Sequence, residues 1–206
     1  MPMLNVKCWR PSEYRAFRKK IAVEVWLINR FADDFGLWDW MTTPSYFPKR
    51  VSRWIEMRLA SHTRETLFYI IPWIFVMGYK ILEAILESSK RRKPVAFSKY
   101  PVLHEICQIL HDKFRKGRNK IVHTGKYGIL RDHLMVEDER RRVVAKMDVY
   151  DVIFFSMFAA DLGTVLMTRR LSSGKMGRTY NDIQALDCAS LIPKETYQRV
   201  KETMKR

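Results

Sequence analysis

Long stretches of this chain repeat their apolar residues at three- and four-residue steps, and that period restricts the fold more than any other feature. Tyr14, Phe17, Ile21, Val25, Ile28 and Phe31 share one side of a helix, with Arg18, Lys19 and Lys20 on the other. Pro11 and Ser12 just before them form a start signal, so the spacing predicts a helix over 11–35. Val102, Leu103, Ile106, Ile109, Leu110 and Phe114 draw a second stripe, expected to end near Gly117. Between Val51 and Ser88 the apolar pattern is too broad for one exposed face, which suits a central hairpin or one long helix. Pro72 lacks a backbone donor and is expected either to kink or to split it. Asp148 is placed to cap a last core helix, Val149 to Arg170, whose cationic end suits the helix dipole. The expected fold class is therefore all-α, a helical bundle.

The segments between these helices are less regular. Gly36 to Pro48 mixes turn residues with Trp38 and Trp40 and is expected to be an ordered, packed loop. Ser88 to Pro101 carries serines, a basic run and two prolines and is expected to be a solvated connection. HLMVEDERRRVVAKM, from His133, alternates around a charged turn, which predicts a short β-hairpin inserted into the bundle. LSSGKMGRTYND opens an expected flexible tail over 171–206, with a short helix from Pro193 to Lys205. At 206 residues the chain can bury a sizeable core and is read as one domain, 1–206. Trp54, Phe68, Trp73 and Phe75 lie in apolar stripes and are expected in that core rather than stacked on bases.

Charge narrows the partners. Thirty-eight Lys and Arg against 22 Asp and Glu give a formal net charge of +16, an excess that draws polyanions by counterion release. Cys8, Cys107 and Cys188 are odd in number and far apart, so neither a disulfide framework nor a zinc site is expected, and a reducing cytoplasm fits. No secretory leader is read at the N-terminus. Leu67 to Tyr79 is short for a bilayer, and Val149 to Met167 carries Asp151 and Asp161, so no membrane span is expected. A basic peripheral membrane protein is one functional reading, prompted by these two apolar runs. Gly-rich phosphate loops, His-Glu-x-x-His, Cys-x-x-Cys and nucleophile-elbow serines are missing, which removes the enzyme classes built on them.

What remains is FRKGRNKIVHTGKYG, residues 114 to 128. Arg118 holds a permanent planar charge suited to phosphate oxygens, and His123 is a side chain of the type that exchanges protons near neutrality. Asn119 stands four residues before His123, so the two share a helix face and Asn119 can orient the imidazole or the substrate. Arg115, Lys116, Lys120 and Lys126 widen the positive surface as RNA-binding candidates. If Gly117 breaks the helix and another starts near Asn119, the new first turn adds backbone donors for phosphate.

Arg118, Asn119 and His123 in this arrangement resemble the motif of the HEPN superfamily, an Arg, often followed by Asn, with a His four to six residues beyond. The resemblance covers roughly residues 50 to 170. It implies an up-down bundle that pairs into a homodimer about a twofold axis, and an endoribonuclease that uses no metal or other cofactor. The 2′-hydroxyl would attack the phosphate to leave a cyclic phosphate, with Arg118, Asn119 and His123 catalytic. It also implies use as a toxin or antiviral-defence effector, with a cognate antitoxin or regulatory protein as partner. Where nucleotidylated toxins of the family carry Tyr two residues after the His, this chain has Gly125, and Tyr127 is out of register, so that silencing is not carried over. The alternative is a HEPN-like dimeric module that binds RNA or protein without catalysis.

Overall fold

The computed structural model describes residues 8–34, 63–124, 126–130, 133–168 and 173–204. Helices α1 (Pro11–Asp34), α2 (Thr63–Ser88), α3 (Val95–Lys99) and α4 (Pro101–Thr124) come first. A small sheet follows, β1 (Tyr127–Leu130), β2 (His133–Glu137) and β3 (Val143–Asp148), then α5 (Val149–Leu166), α6 (Ser173–Cys188) and α7 (Lys194–Met204). The class is all-α with a short hairpin insertion. The expected loop over Gly36 to Pro48, the stretch from Val51 to His62 including Trp54, and the cationic end Arg169 and Arg170 lie outside the described residues.

Helix α5 is the hub, packed against α1, α2 and α6 and buried around nearly its whole circumference. A helix that is apolar on every side belongs in a core, and this one also passes the length and composition test for crossing a membrane, as does Tyr69–Ser88 of α2. Gly163 makes the close crossing possible: a Cβ there would stand 3.0 Å from Val25 and 3.1 Å from Ile21, both on α1. Asp148 caps α5 as expected, its carboxylate accepting the Tyr150 N–H at 2.7 Å. The expected stripe of α1 is buried in full, and α2 runs through Pro72 without splitting. Ile71, Ile74 and Phe75 around the proline are buried, and packing of that kind offsets an interior-proline cost of about 3 kcal/mol.

Four expectations are corrected. The tail is not flexible over 173–188: these residues form α6, which packs on the core through Met176, Thr179, Ile183 and Leu186, while the short helix expected from Pro193 to Lys205 is present as α7. The connection after Ser88 is tied down rather than simply solvated, because the Trp9 indole donates to the Ser88 and Arg92 carbonyls at 3.1 and 2.7 Å. Within it α3 buries Ala96 and Phe97. The hairpin gains a third strand: β1, β2 and β3 pair in that order, all antiparallel, and Leu134 and Val136 turn inward where the sheet covers α4. Phe75 is in the core, but Trp73 is 62% exposed.

Candidate active site

Helix α4 does not stop near Gly117; it continues through the motif to Thr124. Gly117 is buried against the sheet, and a Cβ there would come within 2.9 Å of the Met147 sulfur. The residue that reads as a helix breaker instead makes room for a strand. No new helix start exists at Asn119, so the expected backbone donors are absent, and the motif occupies the carbonyl end of a helix, whose dipole repels phosphate. Anion binding here has to come from side chains.

The side chains divide round the helix. At about 100° per residue, Arg118 and His123 stand about 140° apart, with Asn119 between them and about 40° from His123. Arg118 turns toward α2, where Nη2 donates to Glu83 Oε2 at 2.9 Å, while Nη1 donates to Asn119 Oδ1 at 2.9 Å. The guanidinium lies over the Tyr79 ring, 5.4 Å from its centroid, and Nε is buried with no hydrogen-bond partner among the described residues. Burial, reinforced by the Glu83 charge, pushes the Tyr79 hydroxyl up to about 12, so it stays protonated and donates to the His111 carbonyl at 3.3 Å. The His111 imidazole stacks on that ring at 5.1 Å, and its Nδ1 is 3.2 Å from Asp112 Oδ1.

His123 is exposed in the last turn of α4. Arg115 and Lys116 are exposed about two turns earlier, Lys120 is half-buried, and the Lys126 ammonium reaches the Glu139 carbonyl at 3.5 Å. The structure thus brings Arg118 and Asn119 into direct contact and leaves His123 exposed, about 40° round the helix from Asn119 and about 140° from Arg118. Residues Tyr79 and Glu83 were not singled out in the sequence. Their trace was faint: a Tyr and a Glu four apart on one face of an apolar helix, with the partner 35 residues away.

Like His111, His104 behaves as a packing residue. His104 meets Phe97 edge to face at 5.3 Å, and burial, with Lys93 nearby, holds its pKa down. Cys107 is buried in α4 and its thiol is pushed up by burial, as befits an inert core residue. Comparison with protein-family models, with curated proteins and with solved structures finds no match.

Proposed function

We propose that this protein is a metal-independent endoribonuclease of HEPN type that works as a homodimer, with a toxin or antiviral-defence role. One observation carries the reading: an exposed His123 stands one helical turn after Asn119, the residue that together with Glu83 holds the Arg118 guanidinium. In this scheme His123 takes the proton of the 2′-hydroxyl, whose oxygen attacks the adjacent phosphorus. Arg118 stabilises the phosphorane charge through its forked donors, and the bond to the 5′-oxygen breaks. The 5′-oxygen leaves with a proton from a second imidazole or from water, and a 2′,3′-cyclic phosphate remains. Pairing about a twofold axis would bring two such sets into one cleft and supply that second imidazole.

A specific observation favours a second reading, a module that binds RNA or protein without cutting. Glu83 neutralises part of the Arg118 charge, as an ion pair in a purely structural role would. Labelled RNA incubated in EDTA separates the two. The nuclease reading expects cutting that survives chelation and falls about 100-fold or more in His123→Ala and in Arg118→Ala. RNA bound but left intact, or cut by both variants as fast as by the wild type, sinks it.

A further inference from the structure

Residues Asp138 to Arg142, DERRR, make the turn between β2 and β3, and the turn is unusually well fastened for an exposed tip. The Asp138 N–H donates to the Arg142 carbonyl at 2.9 Å, and the Arg141 N–H donates to the Asp138 carbonyl at 3.0 Å. One carboxylate oxygen of Asp138 accepts the N–H groups of Arg140 and Arg142, each at 2.9 Å. The other takes Nε and Nη2 of Arg142 at 3.0 and 2.9 Å. These bonds, led by the Arg142 N–H, hold the Asp138 carboxyl below the ordinary range, so it stays ionised and in place. They also hold Arg141 at φ 59°, in the left-handed region that L residues seldom adopt. From the β1 side, Lys126 grips the Glu139 carbonyl.

The consequence is a fixed platform bearing three consecutive guanidinium groups. Arg142 is spent on Asp138, whereas the exposed side chains of Arg140 and Arg141 have no ion-pair or hydrogen-bond partner among the described residues. Between this turn and Lys120 of α4 lies a cleft of about 400 Å³, lined by Lys120, Asp138, Glu139, Arg140 and Arg142. That volume is within the range of sites that take small ligands, about 300–1,000 Å³, and suits one nucleotide unit. Lys120 sits between Arg118 and His123 in sequence and about 60° round the helix from His123, so the cleft opens next to the motif.

We propose that this cleft and its arginine turn form a second phosphate subsite, which grips the backbone of single-stranded RNA beside the linkage to be cut. The proposal rests on the ribonuclease reading for its substrate and on the turn for its chemistry. Forked guanidinium groups match phosphate oxygens, and a turn already closed by Asp138 loses little further entropy on binding. The charge of Asp138 is cancelled by Arg142, which leaves the exposed Glu139 as the one uncompensated carboxylate of the lining. Strand binding should therefore weaken without Arg140 and Arg141 and tighten when Glu139 is neutralised.

The test is binding of a fluorescent 12-nucleotide single-stranded RNA, by polarisation across a salt series in EDTA, to His123→Ala protein with and without Arg140→Ala/Arg141→Ala. The double change should weaken binding about tenfold near 0.1 M salt and lower the log–log salt slope by about 1.4, as two lost phosphate contacts require. Removal of two exposed charges from α1, Arg18→Ala/Lys19→Ala, should cost less than about twofold, and Glu139→Gln should tighten binding. Equal losses in the two double variants, an unaffected turn variant, or no RNA binding by the parent protein would overturn the subsite. Cutting by the chain with His123 intact keeps the two claims apart. Cutting with an unchanged KM in the turn variant removes the subsite and keeps the nuclease. Turn-dependent binding with no cutting at all removes the nuclease and keeps the subsite.

Discussion

Two polar clusters interrupt the apolar interior of this bundle, and they are built on opposite terms. Asp161 of α5 and Asp182 of α6 are 5% and 1% exposed and hydrogen-bond to each other, a meeting of like groups softened by Arg178. Glu83 and Arg118 are opposite charges, and their side chains remain 39% and 25% exposed. Burial pushes the Asp161 carboxyl up to about 6, and pushes Asp182 well above the ordinary range, with the Asp161 charge adding to the effect. The first cluster resolves its conflict by keeping a proton, so it is fixed inside the protein and answers to pH. The second resolves its own by pairing and stays within reach of solvent, where a phosphate can compete with the carboxylate. Depth and sign together therefore separate a structural polar cluster from one open to a ligand.

Asp182→Leu should break the buried pair most severely. The hydrogen bond between them raises Asp182 and lowers Asp161, so Asp182 holds the proton and donates it, and leucine leaves a nearly buried carboxylate without its donor. The expected cost is about 3 kcal/mol in denaturant melts, shrinking at pH 5, where Asp161 carries its own proton. An equal cost at both values would mean that the pair does not share a proton as argued.

The same pair sets a pH dependence of definite sign. A carboxyl raised from 3.8 to about 6 on folding binds a proton that the unfolded chain has already released. Stability therefore falls as pH rises through that window and levels off above it, with Asp182 extending the fall upward. Asp151, also pushed up to about 6 by burial, adds to the trend, while Asp112 and Glu105 are lowered by hydrogen bonds from His111 and Arg199 and act oppositely at lower pH. The difference between wild type and Asp161→Asn isolates the pair. Asparagine should gain about 2 kcal/mol relative to wild type between pH 4 and pH 7. Parallel stability curves would contradict the burial argument.

The sequence discloses the apolar skeleton of these clusters better than the clusters themselves. The stripes of α1 and α4, the Asp148 cap and the alternating β2–β3 pair follow from periods of 3.6 and 2 and are present. Helix α6 is hidden because Ser173, Gly174 and Gly177 outweigh, in local propensity, the buried stripe from Met176 to Leu186. At Gly117 a residue that commonly ends helices is used for its lack of a Cβ against Met147, a tertiary demand that no window along α4 contains. Arg118, Asn119 and His123 were recognisable as a group, but the partners that fix Arg118 come from α2 and emerge only when the two helices pack.

Glu83→Gln is the mildest change and sharpens the comparison most. Glutamine keeps an oxygen for the Arg118 fork and removes only the negative charge, so the contact at Nη2 survives while the guanidinium loses its counter-charge. An exposed pair of this kind contributes at most about 1 kcal/mol, so the melting temperature should move by no more than about 4 °C. RNA affinity should rise about two- to fivefold at low salt and return toward wild type as salt is added, because the gain is Coulombic. A destabilisation near that of Asp182→Leu would place Glu83 with the buried carboxylates. Unchanged RNA affinity would mean that Arg118 serves the fold alone and does not face a ligand.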